Sequence, residues 1–194
     1  MKKLKSIGTR ITFSMIFITL VTGFATISVV QITMSKTLTA ALKEKGLSVC
    51  KNLAASSLES ILVEDRIELR ELLEKHKEAI NDLSYAFIID KQGNIIIHTF
   101  SEGFPLHLLW ANRINLGQTN SVKLLDTEDG LIHDFAVPIM ANKQMVGTAR
   151  VGISQKSMKA AISNITIVFI IIIFLIIGVG VLMSFGLTRL IVKP

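Results

Sequence analysis

Residues Ile165 to Leu187 form an uncharged apolar run of 23 residues, broken soon afterwards by Arg189 and Lys193. A helix needs roughly 20 apolar residues to cross the ~30 Å hydrocarbon core of a bilayer, so this run predicts a membrane span, assigned as 164–187. A second run, Ile11 to Ser35, carries no charge over 25 residues and follows Lys2, Lys3, Lys5 and Arg10. Basic residues beside a span resist translocation. The pattern predicts a cytoplasmic tail (1–10), a first transmembrane helix (11–35), an extracytoplasmic segment (36–160) and a cytoplasmic return (188–194). Two spans and one domain of about 120 residues account for a chain of 194 residues with mean hydropathy +0.54. The competing reading of the first run is a signal peptide cut near Thr22, Gly23, Phe24 and Ala25. The apolar stretch runs well past the ~7–15 residues of a signal core, which favours an uncut span.

The net charge of +6 suggests nucleic acid until it is mapped. All 15 acidic residues lie between Lys36 and Lys159, balanced there by 15 of the 21 Lys and Arg. The six others are Lys2, Lys3, Lys5, Arg10, Arg189 and Lys193, all flanking membrane. The excess is a topology signal, and no nucleic-acid partner is expected.

Between the spans, the period of the apolar residues changes from helix to strand. Leu38, Leu42, Val49 and Leu53 form a heptad-like stripe on a helix continuing from Ser35, suited to packing on its own domain or to a dimer seam. Gly46 weakens that helix without ending it. A second helix is predicted over Glu64 to Ile80. Tyr85 to Asp90 and Ile95 to Thr99 read as a hairpin around a Gly and Asn turn, and Pro105 opens a short helix through Asn112. Three more strands follow: Ser121 to Asp126, Leu131 to Met140 and Met145 to Ile153. Pro138 has no N–H for a ladder, so its strand should be at an edge or bulged there. Ser154 can cap a helix that enters the second span without a breaker, leaving almost no slack between last strand and membrane helix.

Two helices, then five antiparallel strands with a helical crossover between the second and third, resemble the single Cache (PAS-like) extracytoplasmic sensing domain. The resemblance is carried by residues 87–98 (Phe87 to His98), by Leu116, Gly117 and Gln118, and by 135–139 with 144–154. It implies an α+β fold: a long N-terminal helix and a second helix packed on a five-stranded antiparallel sheet, flanked by two transmembrane helices. The tail Arg189 to Pro194 resembles the start of a HAMP linker. In the family this layout feeds a histidine kinase, a chemotaxis transducer or a cyclic-dinucleotide enzyme. Its citrate and dicarboxylate sensors hold ligand with a base three before the hairpin histidine, that histidine, and a base two before the later strand proline. Here these positions are Ile95, His98 and Ala136, so the resemblance implies a less charged ligand or other contacts.

The expected ligand contacts are His98 with Phe100 beside it, His107, Trp110 and Arg113 at three-residue spacing, and His133 and Arg150. His107, Trp110 and Arg113 would share one helix face and close a pocket by stacking plus a cation, or pack on the domain surface. His133 and Arg150 are polar strand residues, a type that usually faces water. No cofactor or metal is expected: four histidines (His76, His98, His107, His133) and one cysteine match no zinc spacing. Asp126, Glu128, Asp129 and Asp134 would hold calcium if they converged and otherwise form a solvated turn. Cys50 is either a small packed residue or a dimer cross-link. Gly178, Gly180 and Ser184 would permit close helix packing in the membrane. No catalytic motif occurs in these residues. The expectation is the sensory and membrane portion of a bacterial receptor, a homodimer of the sensor histidine kinase type. It would bind a small extracytoplasmic ligand and pass the signal through its second span to a HAMP and kinase output. A chemotaxis receptor and a ligand-blind dimerisation scaffold are the alternatives.

Overall fold

A computed structural model describes residues 7–115, 117–128 and 130–192, with side chains placed over 13–183 apart from Leu116 and Asp129. Lys2, Lys3, Lys5, Leu116, Asp129, Lys193 and Pro194, and the side chains of Arg10, Ser184 and Arg189, lie outside the described residues. The chain divides into two units, residues 1–37 with 160–194, and residues 38–159. Its elements are α1 (Ile7–Ser56), α2 (Leu58–Leu62), α3 (Arg66–Ala79), β1 (Leu83–Asp90), β2 (Ile95–His98), α4 (His107–Ala111), β3 (Ser121–Thr127), β4 (Gly130–Ala141), β5 (Gln144–Ser154) and α5 (Lys156–Val192).

In the first unit, the helices carry exposed Phe13, Phe17, Phe24, Ile171, Phe174 and Leu182. Both α1 and α5 are long and apolar enough to cross a membrane, with mean hydropathy 2.1 and 3.3 over their best stretches. Gly23 is the close approach: a Cβ there would lie 2.7 Å from Ile173, whereas Gly178 and Gly180 face open space. The Gln31 amide donates to the Thr166 hydroxyl at 3.2 Å.

The second unit is a sheet in the order β2-β1-β5-β4-β3, antiparallel throughout. Strand alternation divides its residues between two faces. On one, Ala86, Ile88, Ile97, Phe135, Val137, Ala149, Val151 and Ile153 meet Cys50 and Leu53 of α1 and Leu69 and Leu73 of α3. The α1 stripe is thus a seam with its own sheet, joined by Leu42 and Val49. Gly46 is what lets α1 approach, because a Cβ there would fall 2.2 Å from the Phe135 ring. Cys50 is fully buried, its thiol donating to the Phe135 and Ala149 carbonyls at 3.4 and 3.3 Å, so the cross-link reading fails for lack of access. Burial and the nearby Asp134 charge raise its pKa, which keeps it an inert thiol.

Local chemistry sets the element ends. The Asp65 carboxylate caps α3 by accepting from the Ile67 and Glu68 N–H groups, both at 3.0 Å. In the β1–β2 turn, Asp90 accepts from Gln92 N, Asn94 N and Asn94 Nδ2, and Gly93 takes φ 92°. Burial acts to raise the Asp90 pKa, but the hydrogen bonds from Asn94, Gln92 and Gly93 outweigh it and hold the carboxyl below its ordinary value. Pro138 stands in an interior strand yet at a local edge: β3 starts at Ser121 opposite Ala136, and the register slips just after, between Ile139 and Met140. A single residue, Gln155, separates β5 from α5. The Ser154 side chain accepts from Lys156 N at 3.1 Å, Gln155 N donates to Leu131 O at 3.0 Å, and the Ser157 hydroxyl donates to Asp82.

Candidate ligand-binding site

The other face of the sheet carries an unusual polar row. Tyr85 on β1 lies opposite Gly152 on β5, and Gly152 lies opposite Asp134 on β4. Because Gly152 has no side chain, the Tyr85 ring passes over β5 and its hydroxyl donates to Asp134 Oδ2 at 2.6 Å. A Cβ on Gly152 would meet that ring at 2.4 Å. In the next row Phe87 faces Arg150, which faces Ala136. Arg150 turns diagonally onto Asp134, with Nε to Oδ1 at 3.0 Å and Nη2 to Oδ2 at 2.6 Å, and its guanidinium lies 4.8 Å over the Phe87 ring. Both charged side chains are fully buried.

The cluster also holds α4 against the sheet. Arg150 Nη1 donates to the Leu108 carbonyl at 2.6 Å. Just beyond α4, Asn112 Nδ2 donates to Asp134 Oδ1 at 2.8 Å and to the Asp134 main-chain oxygen at 2.9 Å. The Asp134 carboxylate therefore accepts from Arg150 twice, from Tyr85 and from Asn112, which fills its lone pairs. A buried pair satisfied this fully tolerates low polarity around it and leaves no free charge for an incoming dianion. Burial and the neighbouring Asp134 carboxylate, itself the acceptor of the phenol's hydrogen bond, push the Tyr85 phenol pKa up.

Three cavities open on this face among the described residues, and two of them hold the expected contacts. One, about 290 Å³, is lined by Ile89, Trp110, Asn112, Arg113, Met145 and Thr148 among others. Asn112, 1 % exposed, has an Oδ1 that is buried and receives no donor. The other, about 700 Å³, is lined by Tyr85, Phe100, His107, Leu108, Asp126 and Ile132 among others.

The expected contacts are thus divided. Trp110 and Arg113 meet, although α4 ends at Ala111: the Arg113 guanidinium stacks 4.1 Å from the Trp110 ring at the smaller cavity. Phe100 and His107 line the larger one. His98 lines neither; it sits on the edge strand, its ring 5.9 Å from Phe100 and 5.7 Å from Phe104. Arg150 is buried rather than water-facing, as is His133. His133 belongs to the α1 side of the sheet, where its ring stacks on Phe135 and Gln155 Nε2 lies 3.1 Å from its Nδ1. Burial and the positive Lys43 lower its pKa. The structure does not bring His133 to the cavities. Of the possible calcium ligands, Asp134 is committed to Arg150 and Asp129 lies outside the described residues; among the described residues no three His, Cys, Asp or Glu side chains gather.

Tyr85, Asn112 and Asp134 did not stand out as contacts in the sequence. Their signal was Gly152, an isolated strand glycine that marks close passage of another group.

The model of a family described as single Cache domain 3 matches residues 33–166. The chain belongs to the single Cache family. Among solved structures, this Cache domain is similar to the sensor domain of the V. cholerae histidine kinase DctB, at TM-score 0.51 and 16 % identity over 68 % of this chain and 57 % of that one. It is also similar to the sensory domain of the Campylobacter jejuni chemoreceptor Tlp3, solved with isoleucine bound, at TM-score 0.52 and 11 % identity over 78 % of this chain and 66 % of that one. The Cache chain therefore spans less than two thirds of the length of either. No curated protein matches the chain. At these identities the likeness is one of fold: the α+β Cache architecture, in a chain that also carries two candidate membrane helices.

Proposed function

We propose that the Cache chain is the sensory and membrane-anchoring part of a bacterial receptor of the two-component histidine kinase type, its sensor facing outside the cell. A chemotaxis receptor is the second reading, since the C. jejuni sensor uses the same fold. The ligand enters the cavity beside Trp110 and Arg113. It is a small molecule with an N–H or O–H donor and no more than one negative charge. The observation that carries this is the Asn112 oxygen: an unpaired buried acceptor costs about 1–3 kcal/mol, which a donor from the ligand would offset. Arg113 on Trp110 offers the complementary cation at the mouth. Ala136, where the dicarboxylate sensors have a base, faces Arg150 across the ladder, and that cation is already neutralised by Asp134.

A ligand reaching Asn112 would bias α4, which Arg150 and Asn112 pin to the sheet, and it shifts the receptor only by binding one packing better than the other. The relay runs through β5 and the single residue before α5. A proline inserted near Ala161 is expected to abolish signalling while ligand still binds, and an undiminished response would refute the rigid linkage. The primary test is a thermal-shift screen of the chain against metabolites, in which a ligand at about 100 times its Kd adds about 2.7 kcal/mol. Trp110→Ala and Arg113→Ala should abolish that shift. A screen with no stabilising ligand supports the dimerisation scaffold instead, and a shift indifferent to both substitutions removes this cavity from the account.

A further inference from the structure

A separate groove lies between α3 and the edge strand β2. It encloses about 510 Å³ and is lined by Arg66, Ile67, Arg70, Ile95, Ile96, Ile97 and His98. Its chemistry is divided in two. Arg66 and Arg70 are one helical turn apart, so their guanidinium groups share one side of the helix. The isoleucines make the rest of the wall apolar, and Ile67 is 75 % exposed.

The two arginines have no carboxylate of their own. Among the described residues, Arg150 with Asp134 forms the one ion pair. Asp65 caps α3, Glu68 accepts from the Ser60 hydroxyl at 2.7 Å, and Glu74, one turn beyond Arg70, forms no ion pair with it. Guanidinium groups bind carboxylates in a paired, planar fork, and two of them beside an apolar trough select a molecule with an acid head and a hydrocarbon body. A second copy of this chain fits poorly, since twofold pairing of the groove with itself would bring four arginines together.

We infer that the groove between α3 and β2 is a binding site for an amphipathic carboxylate, of the class of a medium-chain fatty or arylalkyl acid. The head group sits between Arg66 and Arg70, and the tail lies along Ile67 and Ile96. This site is distinct from the cavity beside Trp110 and does not depend on the receptor reading.

The test uses the full chain in lipid nanodiscs with octanoate as the probe, followed by chemical-shift changes at residues 66–70 and 95–98. Octylamine, octanol and acetate serve as controls, and empty nanodiscs report partition into lipid. Octanoate is expected to perturb these residues saturably, with octylamine and acetate at least about tenfold weaker. Arg66→Gln with Arg70→Gln, both exposed, should weaken octanoate at least about tenfold while the melting temperature holds. Arg113→Ala should leave it unchanged. Equal binding of octanoate and octylamine, binding unaffected by the arginine substitutions, or loss of binding in Arg113→Ala would each overturn the assignment. So would the absence of any saturable change at about 10 mM, or self-association through these residues that octanoate does not compete.

Discussion

Removing either half of the Arg150–Asp134 pair tests the polar row most sharply. With both side chains at zero exposure, Arg150→Met leaves a buried carboxylate, and Asp134→Leu leaves a buried guanidinium plus an orphaned Tyr85 hydroxyl. Each single change should destabilise the domain by about 3–5 kcal/mol, because the survivor keeps its desolvation penalty without its partner. Replacing both with apolar groups removes that penalty from each side and leaves the orphaned Tyr85 hydroxyl, at about 1–3 kcal/mol, so the double variant should lose far less than the sum of the two. The coupling energy in the cycle would then be several kcal/mol, far beyond the ~0.2–1 kcal/mol of a solvated pair. In thermal melts followed by near-ultraviolet circular dichroism, each single variant should fall by about 10–20 °C. Single variants that lose less than about 1 kcal/mol, or a double variant no better than their sum, would refute the buried-pair reasoning.

Three further outcomes follow from the packing. Gly152→Ala should destabilise by about 2–4 kcal/mol, since its Cβ displaces the Tyr85 ring and breaks a hydrogen bond to a charged group; in a Tyr85→Phe background the loss should shrink, as urea melts would show. Gly46→Ala sets a helix gain of about 1 kcal/mol against overpacking of Phe135 by about 1–3 kcal/mol, and the net sign should be destabilising. His133 has a folded pKa below its unfolded value of about 6.5, so its neutral form supports the fold fully above that pH. That support is lost as pH falls from about 6.5 toward the folded pKa, because the unfolded state binds the proton more readily. His133→Phe should flatten the stability curve in this window, measured by melts from pH 7.5 to about 5.

The elements were legible because their periods are clean: Leu69 and Leu73 on α3, the alternation through Phe135 and Val137, the charge-free runs of α1 and α5. The short α2 escaped notice because Leu58–Leu62 is a single turn with no side-chain cap. The site was less legible. Strand alternation tells which residues share a face only once the register is known, and it was register that put Tyr85, Gly152 and Asp134 in line. The expectation that Arg150 faces water followed its polarity, whereas the structure gives it a carboxylate and a carbonyl inside. His133 and Arg150 looked alike in sequence and lie on opposite faces, because one slot along a strand reverses the side chain.

The receptor reading depends on the Cache sheet lying outside the cell. Cys50 is sealed in the core, so a single cysteine at exposed Glu102 can be read without background. In intact cells, Glu102→Cys is expected to react with a membrane-impermeant maleimide while the parent chain does not. Labelling of Glu102→Cys only after the cells are permeabilised would place the domain in the cytosol and contradict the account.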